Sequence, residues 1–417
     1  MKFDEKLRLN IALLHYAAPP IVGGVETILA QHAGLMTEHG HRVRIIAGRG
    51  AQLDARIAFS NIPEVDSRHP EVLALKSQLD AGKIPDGFET LVERISSELW
   101  DVIESTDLVI AHNVCSLNKN LALTAALHQL SEQHRRPRFI LWQHDLAWTT
   151  PRYRGELHDG YPWDLLRTDW PWADQVVVSE QRRRELGQLL GVPEGRICVV
   201  PNGLDVGAFL KLGAETEELR RRLSLSLAAP LLLLPVRITP RKNIELALRV
   251  LRELRKQFEN AQLIVTGPLG PHNPSNLQYY EALLALRAEL GIEESAHFLA
   301  EEIDHSIPNE VVADLYRLAD ILFFPSREEG FGIPLLEAGL ARTPVFCSDI
   351  AVLRELGEAQ VNYFSPDGEP AKIAGQIATA LNASPVYALR KRVLQEYSWE
   401  QIYRTHIGPL LEKGRSQ

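Results

Sequence analysis

Short apolar runs alternate with segments of helical spacing along most of the chain. LNIALLHY (9–16) reads as a strand, and VETILAQHAGLMTEHG (25–40) carries apolar residues at helical spacing up to Gly40. RVRIIAG (42–48), DLVIAHN (107–113), RFILWQHD (138–145), DQVVVSE (174–180) and RICVV (196–200) extend the strand series, mostly with helical segments between them. Strands apolar on both faces belong in a parallel sheet covered by helices. The chain turns near PNGLDVGAF (201–209), and a charged helix, ETEELRRRLSLS (215–226), follows.

A second alternation starts at Pro230. Its strands are PLLLLPVR (230–237), AQLIVTG (261–267), HFLA (297–300), DILFFPS (320–326) and PVFCS (344–348). Helical patterns lie between them, including NIELALRVLRELRKQF (243–258) and PLLEAGLA (334–341). The expected fold is therefore α/β, with two doubly wound Rossmann-like domains, residues 1–205 and 206–388. A closing segment, Val386 to Leu411, reads as helical, and the tail EKGRSQ as disordered. In open sheets of this kind ligands bind outside the carboxyl ends of the strands, so two such domains are expected to face each other across a cleft.

Composition narrows the function classes. The 417 residues are 45% hydrophobic and 24% charged, with a formal net charge of -9 and no long basic block, which disfavours a nucleic-acid partner. The three cysteines, Cys115, Cys198 and Cys347, stand singly among apolar residues and read as core thiols of a reducing compartment, the cytoplasm. The N-terminus lacks the apolar core of a signal peptide, and no window is apolar enough to span a bilayer.

The chemistry collects at strand ends. In FFPSREEGFGIPLLE an apolar strand breaks into an acidic, glycine-containing loop that enters a helix at Pro334. Amides of Phe331, Gly332 and Ile333 at the helix start suit an anion, whereas Glu328 and Glu329 suit hydroxyl groups. The implied ligand is both anionic and polyhydroxylated. Arg237 and Lys242 follow the strand LLLLPV, and two cations beside a helix N-terminus make sense around a phosphate. Arg241 reads as solvated charge.

Gly23 and Gly24 follow the first strand and allow a tight turn before a helix, without the dinucleotide-binding glycine pattern. His144 and Asp145 follow the apolar run FIL; His15 and His112 also end strands, and His134 has a weaker claim. Residues 142–172 break the rhythm and hold five of the seven tryptophans, Trp142, Trp148, Trp163, Trp170 and Trp172. This segment either lines an acceptor site or packs on its own domain.

PNGLD at 201–205, Arg237 with Lys242, and Glu329 with Glu337 inside EEGFGIPLLEA resemble the hallmarks of retaining glycosyltransferase family 4, of GT-B architecture. The resemblance covers essentially the whole chain and implies sugar transfer from a nucleotide-diphosphate donor. It implies that Glu329 contacts the sugar hydroxyls and Glu337 the ribose. Arg237, Lys242, the amides around Gly332 and Ile333 and the Gly23-Gly24 loop would hold the diphosphate. His144 would lie over the donor sugar, Asn202 near the hinge, Gly267 near the donor, and Ala300 and Glu301 would face the base through their backbone. The family's final helix implies that residues 389–412 return to the first domain. Asn243 stands where the family usually has glycine, a departure expected to alter loop geometry only.

No Asp-x-Asp or metal-ligand spacing occurs in these elements, so transfer is expected to need neither metal nor cofactor. The donor is expected to be a UDP- or GDP-hexose. The acidic stretch 71–104 favours a soluble acceptor over a lipid-linked one. Two other readings share the plan: a GT-B nucleotide-sugar epimerase, and a two-domain binding protein without transfer activity.

Overall fold

A computed structural model describes residues 8–134, 136–268, 274–302 and 307–413. It contains two compact units; the division falls after Gly203 and returns the chain to the first unit at Trp399.

Among the described residues the first unit holds seven parallel strands: β1 (Asn10–Leu14), β2 (Arg42–Ala47), β3 (Ala58–Asn61), β4 (Leu108–His112), β5 (Arg138–Gln143), β6 (Ala173–Val177) and β7 (Ile197–Val199). Their order across the sheet is β3-β2-β1-β4-β5-β6-β7. The described residues of the second unit form six: β8 (Leu231–Leu234), β9 (Gln262–Val265), β10 (Ala296–Phe298), β11 (Ile321–Phe324), β12 (Val345–Ser348) and β13 (Asn362–Phe364), in the order β10-β9-β8-β11-β12-β13. Both sheets are doubly wound, as the alternating pattern implies. The strand order reverses between β1 and β4 in one and between β8 and β11 in the other, which is where open α/β sheets bind ligands.

The central strands are buried along nearly their whole length, for example LLLL of β8 and ILFF of β11. Helices cover both faces because such strands leave no polar side for water. The edge strands β3 and β13 were not expected. Each is short and partly exposed, so neither carries a continuous apolar run.

The domain limits need correction at the C-terminus. Residues 389–412 do not form one returning helix. The helix Pro385–Glu396 stays with the second unit, where Tyr387 enters the core and Arg390 pairs with buried Asp320 at 3.0 Å. The return begins at Trp399, and Trp399, Ile402, Tyr403, Ile407, Leu410 and Leu411 join the apolar layer beneath β1, β4 and β5. Burying these six side chains gives the segment its place; each is worth roughly 1.5–3 kcal/mol when fully removed from water. The boundary expected at 205 falls after Gly203, where an added Cβ would lie 2.6 Å from the Trp399 ring. The end of the tail read as disordered, 414–417, lies outside the described residues.

Candidate active site

In the second unit the site is built at the carboxyl ends of β8, β9 and β11. Past β8 the chain makes a short turn, Pro240–Lys242, and then Asn243 adopts φ 54° and ψ 45° before the helix Ile244–Leu254. Asn243 thus keeps the left-handed conformation that glycine favours, which a side chain seldom adopts and asparagine tolerates best. Its amide donates to the carbonyls of Pro325 (3.1 Å) and Pro366 (2.9 Å), and Arg327 N–H donates to the Arg241 carbonyl at 2.8 Å. The departure from glycine therefore preserves the turn and adds hydrogen bonds that tie the β8 loop to the β11 loop.

That tie brings Lys242 onto Glu329. The two side chains form an ion pair, with 9% and 8% of their surfaces exposed. The lysine sits two residues before the helix. Desolvating two charges costs several kcal/mol each, which the mutual attraction only offsets. Such a pair is weak evidence for stability and better evidence for a ligand.

Gly332 has φ +101°, and a Cβ there would stand 2.7 Å from Leu353, so both backbone and packing demand glycine. The turn opens the helix Ile333–Ala341 with Pro334 in its first turn, while Phe331 and Ile333 remain 56% and 58% exposed. Glu337 lies one turn into that helix and accepts from the Tyr316 hydroxyl at 2.7 Å. Arg237 is exposed and has no hydrogen-bond or ion-pair partner among the described residues. Gly267 acts through Arg237: a Cβ would lie 1.7 Å from the Val236 carbonyl oxygen and 2.5 Å from Arg237 Cα, so only glycine lets the β9 loop lie against the β8 loop. Ala300 is half-buried in the turn Leu299–Glu301, and the Glu301 carboxylate is held by Arg287 at 2.6 and 2.9 Å.

In the first unit three neighbouring strands each deliver a histidine at or next to the switch point: His15 after β1, His112 ending β4, His144 after β5. His15 Nδ1 lies 2.7 Å from the His112 carbonyl oxygen, and His112 Nδ1 lies 3.3 Å from His144 Nε2. Asn113, in the left-handed region at φ 59°, accepts from the backbone N–H groups of His144 (2.7 Å) and Asp145 (3.1 Å). Burial drives the imidazoles toward the neutral form: His144 is pushed down to about 4, and His15 and His112 are also lowered. Gly23 is extended at the start of the helix Gly24–Glu38, and a Cβ there would meet the Glu26 carboxylate at 2.1 Å. The same carboxylate lies 4.0 Å from His15 Nε2, so this helix end already carries a negative charge.

Two family profiles match the chain, "Glycosyl transferases group 1" over residues 215–396 and "Glycosyltransferase Family 4" over residues 22–207. The chain belongs to glycosyltransferase family 4. Its two doubly wound sheets are those of the GT-B fold. Among its relatives is a D-inositol 3-phosphate glycosyltransferase of Nocardia farcinica, 34% identical over 185 residues, covering 43% of this chain and 39% of that protein. The match therefore spans well under half of that relative. A mannosylglucosylglycerate synthase of Thermotoga maritima is 25% identical over 385 residues, covering 86% of this chain and 84% of the relative. The corresponding enzyme of Petrotoga mobilis is 24% identical over 370 residues, with 83% and 84% covered.

Trp142, Trp163 and Trp170 are buried, and the half-buried Trp148 lies under Arg167, whose guanidinium carbon is 3.9 Å from the ring centroid. These four pack their own unit, whereas Trp172 is 51% exposed. His134 stacks on Trp100 at 3.6 Å, and both are half-buried. Asn202 is exposed next to the division at Gly203. Cys115 and Cys347 are buried free thiols, and Cys198 is half-buried. Among the described residues, no group of three or more metal-ligating side chains is placed to hold a cation, and no helix is long and apolar enough to cross a membrane.

His32, Asn113, Glu26 and Tyr316 were missed. His32 sits on the apolar stripe of its helix with Leu29, Ala33 and Met36, a signal the helical spacing contains. It is fully buried against Trp142, His112 and Trp399, with both ring nitrogens unpartnered, and burial pushes it down to about 3. The unfolded chain takes up this proton near the ordinary value of 6.5, so its folded pKa is depressed. Stability is then complete above pH 6.5 and is lost as pH falls toward 3, by about 2 kcal/mol at pH 5 from this residue alone. Melting curves from pH 7.5 to 5 are expected to show the midpoint falling steadily, and His32→Leu should flatten that slope. A slope unchanged in the variant would count against it.

Proposed function

We propose that this chain is a retaining glycosyltransferase that moves a hexosyl unit from a UDP- or GDP-hexose to an acceptor hydroxyl. The observation that carries this reading is the buried Lys242–Glu329 pair beside the glycine-dependent turn at Gly332, where the second sheet reverses its strand order. A pre-desolvated cation next to an acid, at the start of a helix, suits a ligand with a diphosphate at one end and hydroxyls at the other.

In this reading Lys242, Arg237 and the amides of Phe331, Gly332 and Ile333 take up the charge that grows on the leaving diphosphate. Glu329 holds the hexose hydroxyls, Glu337 the ribose, and the backbone at Ala300 the base. Gly267 keeps Arg237 in place. From the first unit, His144 acts at the hexose, the Gly23-Gly24 turn gives close approach, and Asn202 belongs to the connection between units. The acceptor oxygen bonds to the anomeric carbon on the face from which the diphosphate departs. The anomeric C–O bond breaks, and a β-phosphate oxygen receives the acceptor's proton, so configuration is retained. No cofactor takes part, and the protein's cations stand in for a metal. Transfer is accordingly expected to survive EDTA; activity lost on chelation and restored only by Mg²⁺ or Mn²⁺ would refute that part.

The acceptor is proposed to be soluble and polyhydroxylated and the site of action cytoplasmic. Relatives named for D-inositol 3-phosphate and mannosylglucosylglycerate support such an acceptor. Thermal-shift titration with UDP-, GDP- and ADP-hexoses tests the donor. One uridine or guanosine donor should raise the midpoint strongly, whereas no shift with any of them would overturn the reading.

Glu337 offers a separate check. Tyr316 donates to one carboxylate oxygen and leaves the other for the ribose. Glu337→Gln is expected to weaken bare nucleoside diphosphate and intact donor alike, by about tenfold for one charge-assisted hydrogen bond. Calorimetry showing a loss for the intact donor only would move Glu337 from the ribose to the sugar.

A further inference from the structure

The geometry points to His112 as the residue that fixes the tautomer of His144, so that His144 presents Nδ1–H as a hydrogen-bond donor and does not serve as a base. The functional half rests on the placement of His144 at the sugar; the hydrogen-bond half does not.

Three observations lead there. First, His112 ends β4 in full burial, and its Nδ1 lies 3.3 Å from His144 Nε2, so one of these two nitrogens carries the shared proton. Second, His112 Nε2 is buried with no partner. If His144 donated, His112 would hold its own proton on Nε2 as an orphaned buried N–H, which is rarer in folded proteins than an unsatisfied acceptor. Placing the proton on His112 Nδ1 leaves only a bare lone pair there. Third, His144 is half-buried and its Nδ1 has no hydrogen-bond partner among the described residues, which leaves its N–H for a ligand.

The rest of the network holds this arrangement in place. His15 donates from Nδ1 to the His112 carbonyl at 2.7 Å, which fixes the end of β4. Asn113 takes the backbone N–H groups of His144 and Asp145, which fixes the His144 main chain. The neutral state of both rings follows from their burial beside other imidazoles. A donor at this position suits an oxygen lone pair, such as a sugar hydroxyl or an oxygen that gains charge, rather than proton abstraction.

The assignment is read directly from long-range ¹H–¹⁵N correlation spectra of the full chain with labelled histidine near pH 7.5, with His144→Gln identifying the signals. The expected result is protonated Nδ1 and bare Nε2 for both His112 and His144. Protonated Nε2 on His144 would overturn it without any variant. His112→Phe removes the donor and is expected to return His144 to the Nε2–H form and lower kcat at least tenfold with donor KM little changed. His112→Asn places an amide where Nδ1 stood and should recover most of both. An unchanged His144 spectrum in a folded His112→Phe protein would refute His112 as the determinant. A changed spectrum with full transfer activity would instead refute the donor role of His144 and uphold the hydrogen-bond assignment.

Discussion

Lys242→Ala is expected to lower transfer by on the order of 100-fold, the scale of losing one preorganised charge contact in a transition state. The lysine is buried to 9% exposure against Glu329 and is carried by a turn that Asn243 and its two carbonyl partners hold rigid. Little reorganisation is therefore needed when charge grows on a leaving diphosphate, and water contributes little to replace the lost cation. The same substitution leaves Glu329 as a buried unpaired carboxylate, which costs about 3–5 kcal/mol of stability. Lys242→Met with Glu329→Gln removes both charges and should fold nearly as well as the parent while remaining inactive. Melting curves separate folding from function, and kinetics on the folded proteins give the decision. Near-parental kcat/KM in folded Lys242→Ala would remove the lysine from the diphosphate.

Glu329→Gln should produce opposite effects on two observables. Turnover is expected to fall on the order of 100-fold, because a neutral amide holds sugar hydroxyls less firmly than a carboxylate as charge separates. Bare nucleoside diphosphate should nevertheless bind at least as tightly as to the parent. Glu329 pairs with Lys242, and the diphosphate must share or displace it. Removing the carboxylate's charge frees the ammonium for phosphate. Calorimetry with the bare diphosphate and the intact donor reads both effects. Weaker binding of the bare diphosphate would mean that Glu329, rather than Glu337, holds the nucleotide.

The fold was legible because the buried parallel strands are continuous apolar runs, and residues just past them are easily located. Arg237, His15, His112, His144 and Glu329 all end or follow such runs; four lie at the strands that flank the reversals of order, and His144 follows β5, the next strand over. What could not be read is what only tertiary contact creates. Lys242 and Glu329 are 87 residues apart, and neither local sequence shows that they meet. Asn243 looked like a departure from a glycine position until its left-handed backbone and its hydrogen bonds became visible. Composition left the tryptophan-rich stretch open between an acceptor wall and packing on its own domain, because composition alone does not set exposure; Trp142, Trp163 and Trp170 are buried and Trp172 is exposed. The C-terminal boundary was misplaced because the helix Pro385–Glu396 and the segment from Trp399 have similar helical patterns but bury their apolar faces in different units.

The central claim, transfer from a nucleotide-diphosphate hexose with retained configuration, is tested most directly by a proton-NMR time course. An α-linked UDP- or GDP-hexose is incubated with the chain in EDTA, with and without a polyhydroxylated acceptor such as an inositol phosphate, and the anomeric signals are followed. The account predicts that one donor is consumed and that the sugar first appears in product with the α configuration, before any mutarotation. A β-configured first product, or no consumption of any nucleotide sugar by folded protein, would contradict it.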